Sequence, residues 1–138
     1  MMIEKYVIIP ADINRSVFFV SFERNSDCAF NDTVHREIDC DCYEHVRIHA
    51  NLSCSFLVDE CGKLKDPAKP VNYRASVFYP GAAFGDPLVG DVFVCDIGLV
   101  DGESDFVPLS DEKEERLLKT IQDFEEFYFK RFQNVDHK

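Results

Sequence analysis

The sequence predicts an α+β protein in which a mixed or largely antiparallel sheet packs against a long C-terminal helix. Several short segments rich in β-branched and aromatic residues, separated by turn residues, predict strands. One of them, LVGDVFVCDIGLV at 88–100, is apolar on both faces, so we expect it in the middle of the sheet. Apolar residues at helical spacing over 110–132 predict the helix. With 138 residues, we expect a single domain over 1–138.

The other elements follow from local composition. Further strands are predicted at 5–10, 16–22, 42–50 and 53–60. Between and after them the sequence predicts a short helix at 32–38, loops at 61–70 and 80–87, a short helix or strand at 72–79, and a turn at 101–105. Gly62, Pro67 and Pro70 favour the first of these loops, because glycine tolerates a positive φ and proline cannot donate to a sheet.

The C-terminal helix has a defined start and an aromatic face. Ser110 is the predicted N-cap, and acidic residues follow it at the positive end of the helix dipole. One face carries Leu117, Ile121, Phe124, Tyr128 and Phe132, and we expect the first four of these to be buried against the sheet. Phe127 and Phe129 lie outside this stripe. They predict either a broad core-facing surface or a homodimer contact.

The balance of acidic and basic residues indicates which classes of partner the chain can bind. The chain has 26 acidic and 15 basic residues, for a net charge of −11. Such a surface repels phosphate backbones, which argues against direct nucleic-acid binding, and attracts basic protein surfaces. The charge can also serve solubility alone. The N-terminal MMIEKYVIIPADI is unlike a signal peptide, and no apolar run reaches the ~20 residues of a membrane span, so we expect a cytoplasmic protein without membrane contact.

The stretch EIDCDCYEHVRIH at 37–49 brings thiols, imidazoles and carboxylates together. If 42–50 is a strand, alternation puts one set of residues on the core face: Cys40, Cys42, Val46 and Ile48. His45 and His49 then share the outer face with Asp41, and on a strand they lie about 13 Å apart, too far to chelate one ion. We therefore predict buried structural cysteines and no metal site.

No catalytic constellation emerges from the sequence. The chain lacks GxSxG, HExxH and P-loop patterns, and its six cysteines include no CxxC pair. In a reducing compartment these cysteines are expected to be free thiols rather than a disulfide framework. A Cys–His pair assembled from distant residues stays open as an alternative. We predict no catalytic residue and no cofactor.

Four motifs occur in order along the second half: FLVDECGKLK, NYRAS, DPLVGDVFV and DFVPLSDEKEERL. Over roughly residues 53–120 this pattern resembles an uncharacterised family, a domain of unknown function in small proteins of bacterial mobile elements and phages. The first half departs from the family, with two apolar strands and EIDCDCYEH in place of one strand, a helix and a Gly-Gly turn. The resemblance implies mobile-element cargo, which often includes proteins that blunt host defences.

The motif residues supply a candidate ligand-binding group: Asn72, Tyr73, Arg74, Asp86 and Asp91. Amide, guanidinium and carboxylate groups gathered around loops can bind a polar ligand. They can equally lock the 61–87 loop to the sheet, with Arg74 paired to Asp86 or Asp91. The sequence leaves both interpretations open.

The predicted function is therefore binding without catalysis. One form is an acidic inhibitor of a host defence protein that processes nucleic acid through a basic surface. The other is a protein, as a homodimer or higher oligomer, that sequesters a nucleotide-like signal in a pocket that uses Arg74. The alternatives are a small hydrolase or thiol enzyme, and an interaction module unrelated to defence.

Overall fold

Six strands form an antiparallel sheet in the computed structural model, which describes residues 3–26, 28–49 and 52–133. The strands are β1 Ile3–Ile9, β2 Phe18–Glu23, β3 Tyr43–Ile48, β4 Cys54–Asp59, β5 Val92–Val100 and β6 Glu103–Val107. The helices are α1 Ala29–Glu37, α2 Tyr73–Ser76 and α3 Asp111–Gln133, and 3₁₀ turns lie at Gly62–Leu64 and Pro80–Phe84. Segment 72–79, predicted as helix or strand, thus contains a short helix.

The strand order is β2-β1-β5-β4-β3, with β6 pairing to β5 off this path. Val94 of β5 pairs with Val7 of β1 on one side and Phe56 of β4 on the other, so β5 occupies the predicted central position. All pairings between named strands are antiparallel. The predicted α+β class is confirmed, and the sheet is antiparallel rather than mixed.

Helices cover both faces of the sheet, not one. On one face, α2 and α3 close a core that contains Val7, Phe56, Val94, Leu117 and Ile121. On the other face, α1 closes a second core built largely from aromatic rings and aliphatic chains: Tyr6, Ile8, Phe30, Val34, Leu57 and Phe93. The continuous apolar runs of β1, β4 and β5 have this physical reason, because a central strand covered on both faces needs apolar side chains at consecutive positions.

The long helix begins as predicted but packs along only part of its length. The N–H of Lys113 donates to Ser110 Oγ at 3.3 Å, which is the expected N-cap bond. Leu117 and Ile121 are buried, whereas Phe124 and Tyr128 are half-buried, so the prediction of four buried residues is wrong for these two. Beyond Ile121 the helix faces α2 and the 10–16 loop instead of the sheet. None of the described helices is both long and apolar enough to cross a membrane.

The β5–β6 hairpin replaces the turn predicted at 101–105. Asp101 and Gly102 have φ values of 53° and 81°, so both central residues are left-handed and the loop needs only two residues. An Asp-Gly pair favours this tight turn, whose twist matches that of the flanking strands. Strand β6 therefore begins at Glu103, three residues earlier than the FVPLS segment.

The thiols at 40 and 42 do not share the face assigned to them. Helix α1 ends at Glu37, the chain turns at Asp39 with φ 51°, and β3 begins only at Tyr43. Cys40 is buried in the core under α1, and Cys42 is exposed, so the prediction of a common buried face is wrong. Alternation holds only within a strand, and the turn intervenes before Tyr43.

Candidate functional site

Asn72 is a buried junction between three segments. It precedes α2 as its N-cap, and its Oδ1 accepts the N–H of Ala75 at 3.0 Å. Its Nδ2 donates to the carbonyls of Ile9 (2.8 Å) and Gly90 (3.0 Å). The side chain is fully buried, and both of its Nδ2 donor bonds go to backbone carbonyls of this chain. Asn72 therefore has no free polar group to offer a ligand.

The backbone around Asn72 holds the amide in place. The Asn72 N–H donates to the carbonyl of Leu88 at 2.8 Å, and Ser76 Oγ accepts the N–H of Leu88 at 3.0 Å. Gly90 has φ 76°, a conformation that favours glycine, and its N–H donates to the carbonyl of Pro70 at 2.8 Å. The NYRAS and LVGD motifs thus meet because their backbones and side chains satisfy each other.

Arg74 is the largest buried polar side chain of this region, with 1% of its surface exposed. Its Nη1 donates to Glu125 Oε2 at 2.8 Å, and its Nη2 donates to the carbonyls of Pro10 (2.7 Å) and Asp12 (3.0 Å). Its Nε is buried without a hydrogen-bond partner among the described residues. The guanidinium therefore joins α2, α3 and the loop after β1.

We call Asn72, Arg74 and Ser76, with the groups that they bind, the α2 anchor. The predicted pairing of Arg74 with Asp86 or Asp91 is wrong, because the carboxylate that reaches Arg74 is Glu125 on α3. The other half of that hypothesis, a set of buried hydrogen bonds that ties this loop region to the sheet, matches the observed contacts.

The remaining predicted site residues lie around the anchor or apart from it. Asp91 Oδ1 accepts the N–H of Ala11 at 2.9 Å, so it supports the same loop as Arg74. Asp86 is exposed and pairs with Lys63, which lowers the pKa of its carboxyl. Tyr73 is 54% exposed on α2. The structure therefore brings Asn72, Arg74 and Asp91 together near the 10–12 loop and leaves Asp86 and Tyr73 outside.

Glu125 and the carbonyls of the 10–12 loop are the anchor groups that sequence reasoning missed. Backbone carbonyls carry no residue-type signal, so the role of the loop could not be foreseen. The sequence gives a weak indication of the role of Glu125. This residue directly follows Phe124 of the apolar stripe, and a carboxylate among apolar side chains requires a polar partner.

An open cleft of about 470 Å³ lies next to the anchor, between the loop after β1 and α3. Its lining is mixed in character and consists of Ile13, Asn14, Arg15, Ser16, Gln122, Glu125, Glu126 and Phe129. Arg15 is the cation on this wall, and its Nη1 lies 3.9 Å from Asp91 Oδ2. The described residues that line the cleft offer both charges and an aromatic ring.

A second polar network, also missed from the sequence, closes the opposite face. Arg24 donates to Glu4 Oε2 (2.8 Å), Asp105 Oδ2 (2.8 Å) and the carbonyl of Phe106 (2.6 Å). Tyr6 donates to Glu4 Oε1 at 2.5 Å, and burial, followed by this bond, raises the pKa of Tyr6 far above its ordinary value. These groups tie β1, β2 and β6 together, and they use their hydrogen-bonding atoms on one another.

The histidines and thiols of 37–49 do not assemble into a reactive pair. His45 bonds to Ser55 Oγ at 2.7 Å and packs edge-on against Phe106, and burial together with Arg47 lowers the pKa of His45. His49 is exposed after the end of β3. Within the described residues, no group of three or more His, Cys, Asp or Glu side chains could hold a metal ion. The absence of a bound metal stays a prediction.

The six cysteines are free and form two classes. Cys40, Cys54 and Cys95 are buried, and Cys28, Cys42 and Cys61 are exposed. Burial, then the Asp59 carboxylate, raises the pKa of Cys40 to about 11, and burial, then Asp96, raises that of Cys54 to about 12. Burial also raises the pKa of Cys95. The buried thiols are therefore neutral and poor nucleophiles at neutral pH.

We expect three thiols of the native protein to react rapidly with Ellman's reagent at pH 8, and six after unfolding in denaturant. The thiolate is the reactive form, and both the raised pKa and the burial of Cys40, Cys54 and Cys95 suppress it. The triple variant Cys28→Ser, Cys42→Ser, Cys61→Ser is the matched control and should show no rapid phase. A rapid phase in that variant would identify an activated buried thiol and favour the thiol-enzyme alternative.

Ion pairs within the chain neutralise most of its basic side chains, so the unpaired surface charges are mostly of one sign. Eleven Lys and Arg side chains pair with carboxylates of this chain, which leaves Arg116, Lys130 and Arg131 without such a partner among the described residues. Exposed carboxylates outside these pairs occur near the start of β3, on the β5–β6 hairpin and in the first turns of α3: Asp41, Glu44, Glu60, Asp101, Glu103, Asp111, Glu112 and Glu115. The free charge on the surface is thus mostly negative.

Comparison with known proteins adds evidence on the fold alone. No family model matches the chain, and no curated protein matches it. The chain is similar in structure to the small RNA methyltransferase HEN1, with a TM-score of 0.54 and 15% sequence identity over 85% of this chain. The matched region is 16% of the methyltransferase chain, so this protein spans a small part of that length. At this identity the likeness concerns backbone architecture and carries no activity.

Proposed function

We propose that this chain is a non-catalytic accessory protein of a phage or mobile element that counters host defence by binding. Its target is a defence protein whose basic surface handles nucleic acid, and the acidic surface of this chain occupies that surface. The motifs between residues 53 and 120 supply the mobile-element context, and the charge supplies the chemistry of the partner.

The observation that carries this proposal is the internal neutralisation of the basic side chains. Because most Lys and Arg side chains already pair with carboxylates, a partner meets mainly unpaired acids such as Asp101, Glu103 and Glu112. A surface of one sign speeds association with a partner of the opposite sign and repels phosphate backbones. The acidic surface therefore favours binding to the defence protein over binding to the nucleic acid that the defence protein handles.

The nucleotide-sequestering form has less support, because Arg74 was its central residue. A guanidinium that is 1% exposed and bonded to Glu125, Pro10 and Asp12 is not available to a phosphate. Neutral buried thiols and the engaged His45 likewise give no support to the thiol-enzyme alternative. The observations therefore favour an acidic inhibitor.

The proposal is tested by titrating purified nucleic-acid-processing defence enzymes with the full chain. We expect inhibition to reach its end point at a fixed stoichiometric ratio, since an occluding protein is consumed by binding. We also expect the association rate constant to fall about tenfold between low and physiological ionic strength, because the screening length shrinks from ~30 to ~8 Å.

Two neutralised variants identify the acidic region that is used. Asp111→Asn, Glu112→Gln, Glu115→Gln removes charge at the start of α3, and Asp101→Asn, Glu103→Gln removes it on the hairpin. At least one should slow association. The hairpin variant should keep its thermal midpoint, whereas the α3 variant should lose a little stability because it removes acids from the positive end of the helix dipole. Inhibition by far less than one chain per enzyme, or binding that ignores both salt and these variants, would contradict the proposal and favour turnover or an uncharged interface.

A further inference from the structure

His45, Arg47 and Ser55 form a polar cluster between β3, the last strand of the sheet path, and its neighbour β4. Arg47 lies directly opposite Ser55 in the strand pairing, and His45 is two residues away on the same side of β3. His45 Nε2 lies 2.7 Å from Ser55 Oγ, and Arg47 Nη1 donates to the same oxygen at 3.2 Å. We propose that this cluster is a pH-sensitive contact, which holds β3 to β4 with a neutral imidazole and weakens when His45 is protonated.

The hydrogen bonds at Ser55 Oγ determine which nitrogen of His45 carries the hydrogen. A hydroxyl has one hydrogen and two lone pairs, and a guanidinium can only donate, so Arg47 uses one lone pair. If the Ser55 hydroxyl donates to His45 Nε2, all three side chains have a partner. The neutral imidazole therefore carries its hydrogen on Nδ1.

Protonation of the imidazole reverses the bond to Ser55. With a hydrogen on Nε2, donors use both lone pairs of the hydroxyl oxygen, and the hydroxyl hydrogen needs another acceptor. Ser55 is fully buried, and its hydroxyl bonds to no group other than His45 and Arg47 among the described residues. A buried donor without a partner destabilises the fold, and an imidazolium beside Arg47 adds the repulsion of like charges.

Two carboxylates face the cluster, and each is already bonded to a cation of this chain. Asp105 of β6 lines a cavity of about 190 Å³ next to the imidazole, and its Oδ2 accepts a hydrogen bond from Arg24 at 2.8 Å. Asp96 of β5 accepts a hydrogen bond from Lys113 at 2.7 Å and lies 3.8 Å from Arg47. An imidazolium would therefore have to compete with these cations for a carboxylate.

The other titratable groups next to the cluster are uncharged at neutral pH. Tyr43, two residues before His45 on β3, donates its hydroxyl to Asn31, and burial raises its pKa. Cys95 of β5 is paired with Ser55, and burial raises the pKa of its thiol. Arg47 is therefore the nearest charge that acts on the imidazole, and it opposes protonation.

The consequence is a loss of stability in mild acid. Burial, followed by Arg47, lowers the pKa of His45 below its ordinary value of 6.5. Between the lowered pKa of the folded chain and about 6.5, the unfolded chain binds a proton that the folded chain does not bind. The contribution of His45 to stability is therefore complete above about pH 6.5 and is lost as the pH falls through the folded pKa. This inference does not depend on the proposed inhibitory function.

The first test is an NMR titration of the ¹⁵N-labelled full chain from about pH 8 to about pH 4.5, followed at the ring nitrogens of His45. At high pH we expect Nε2 to have the shift of an unprotonated ring nitrogen and Nδ1 that of a protonated one. The midpoint should lie below about 6.5. A neutral form with its hydrogen on Nε2, or a midpoint at or above 6.5, would overturn the proposal.

Two arginine variants separate the neighbouring cation from the net charge in the same titration. Arg47→Gln removes the cation beside the imidazole, so the midpoint of His45 should rise. Arg116→Gln is the matched control, because it removes one exposed arginine from α3, and it should leave the midpoint unchanged. Equal shifts in the two variants would show that Arg47 does not act on His45 through this contact and would contradict the proposal.

The second test is urea unfolding at about pH 7.5 and about pH 5.5, a range in which the ordinary histidine pKa lies and most carboxylates stay charged. The unmodified chain should lose more stability between these two pH values than His45→Gln, whose side chain does not titrate. An equal or smaller loss in the unmodified chain would mean that protonation of His45 does not weaken the fold, and the pH-sensitive contact would be wrong.

Discussion

Replacing Asn72 with alanine is expected to lower the free energy of unfolding by about 3–5 kcal/mol, because three buried backbone groups lose their partner at once. The carbonyls of Ile9 and Gly90 lose the Nδ2 donor, and the N–H of Ala75 loses the Oδ1 acceptor. Each unsatisfied buried group costs roughly 1–3 kcal/mol, and water cannot reach this site to replace the amide without opening the core.

The measurement is urea unfolding of matched variants. Asn72→Asp retains an acceptor for Ala75 but loses both donors and buries a charge, so we expect it to be at least as unstable as Asn72→Ala. Tyr73→Ala, at the adjacent but exposed position, should change stability by less than about 1 kcal/mol. Equal, small effects of Asn72→Ala and Tyr73→Ala would mean that the amide is not a structural junction.

Local patterns were sufficient to predict most of the fold. The apolar composition of 88–100 predicted a central strand, because a strand between two neighbours and two helical layers has no polar face. Ser110 predicted the start of α3, since an N-cap hydroxyl satisfies an otherwise free N–H. The second helical layer was missed because the polar segment 25–38 gives α1 only a short apolar stripe, Phe30, Val34 and Ile38.

The candidate site could be predicted only in part. NYRAS identified Asn72 and Arg74 of the α2 anchor, because amide and guanidinium groups in apolar surroundings require partners, whereas Ser76 was missed. The identity of those partners depended on long-range geometry: Glu125 lies 51 residues after Arg74, and the Pro10 carbonyl lies 64 residues before it. A backbone carbonyl can be supplied by any residue, so sequence patterns carry no signal for it.

Replacing Arg74 with alanine is expected to cost about 3–5 kcal/mol of stability, because buried carbonyls lose their donor and a large buried side chain is removed. The Pro10 and Asp12 carbonyls would lose their donor, and the space of a side chain that is 1% exposed would be left empty. Glu125 is 29% exposed, so water can solvate its carboxylate and part of the electrostatic loss is recovered.

Three variants separate the contributions of Arg74 in thermal and urea unfolding. Arg74→Met fills part of the volume without a donor, so its cost reports the polar contacts. Arg74→Lys keeps the charge, but an ammonium group lacks the planar fork of a guanidinium and cannot reach all three acceptors. The stability of this variant should therefore fall between that of Arg74→Met and that of the unmodified chain. Arg116→Ala removes an exposed arginine from α3 and should change the free energy of unfolding by less than about 0.5 kcal/mol.

The same series decides between a structural and a ligand-binding arginine. A ligand-binding role predicts that Arg74→Ala keeps its unfolding midpoint and loses only the capture of an anionic molecule. A structural role predicts a large loss of stability, with Arg74→Lys partly restoring it. Because the guanidinium is already bonded to α3 and to the loop after β1, we expect the second result; an unchanged midpoint for Arg74→Ala would restore the nucleotide-binding hypothesis.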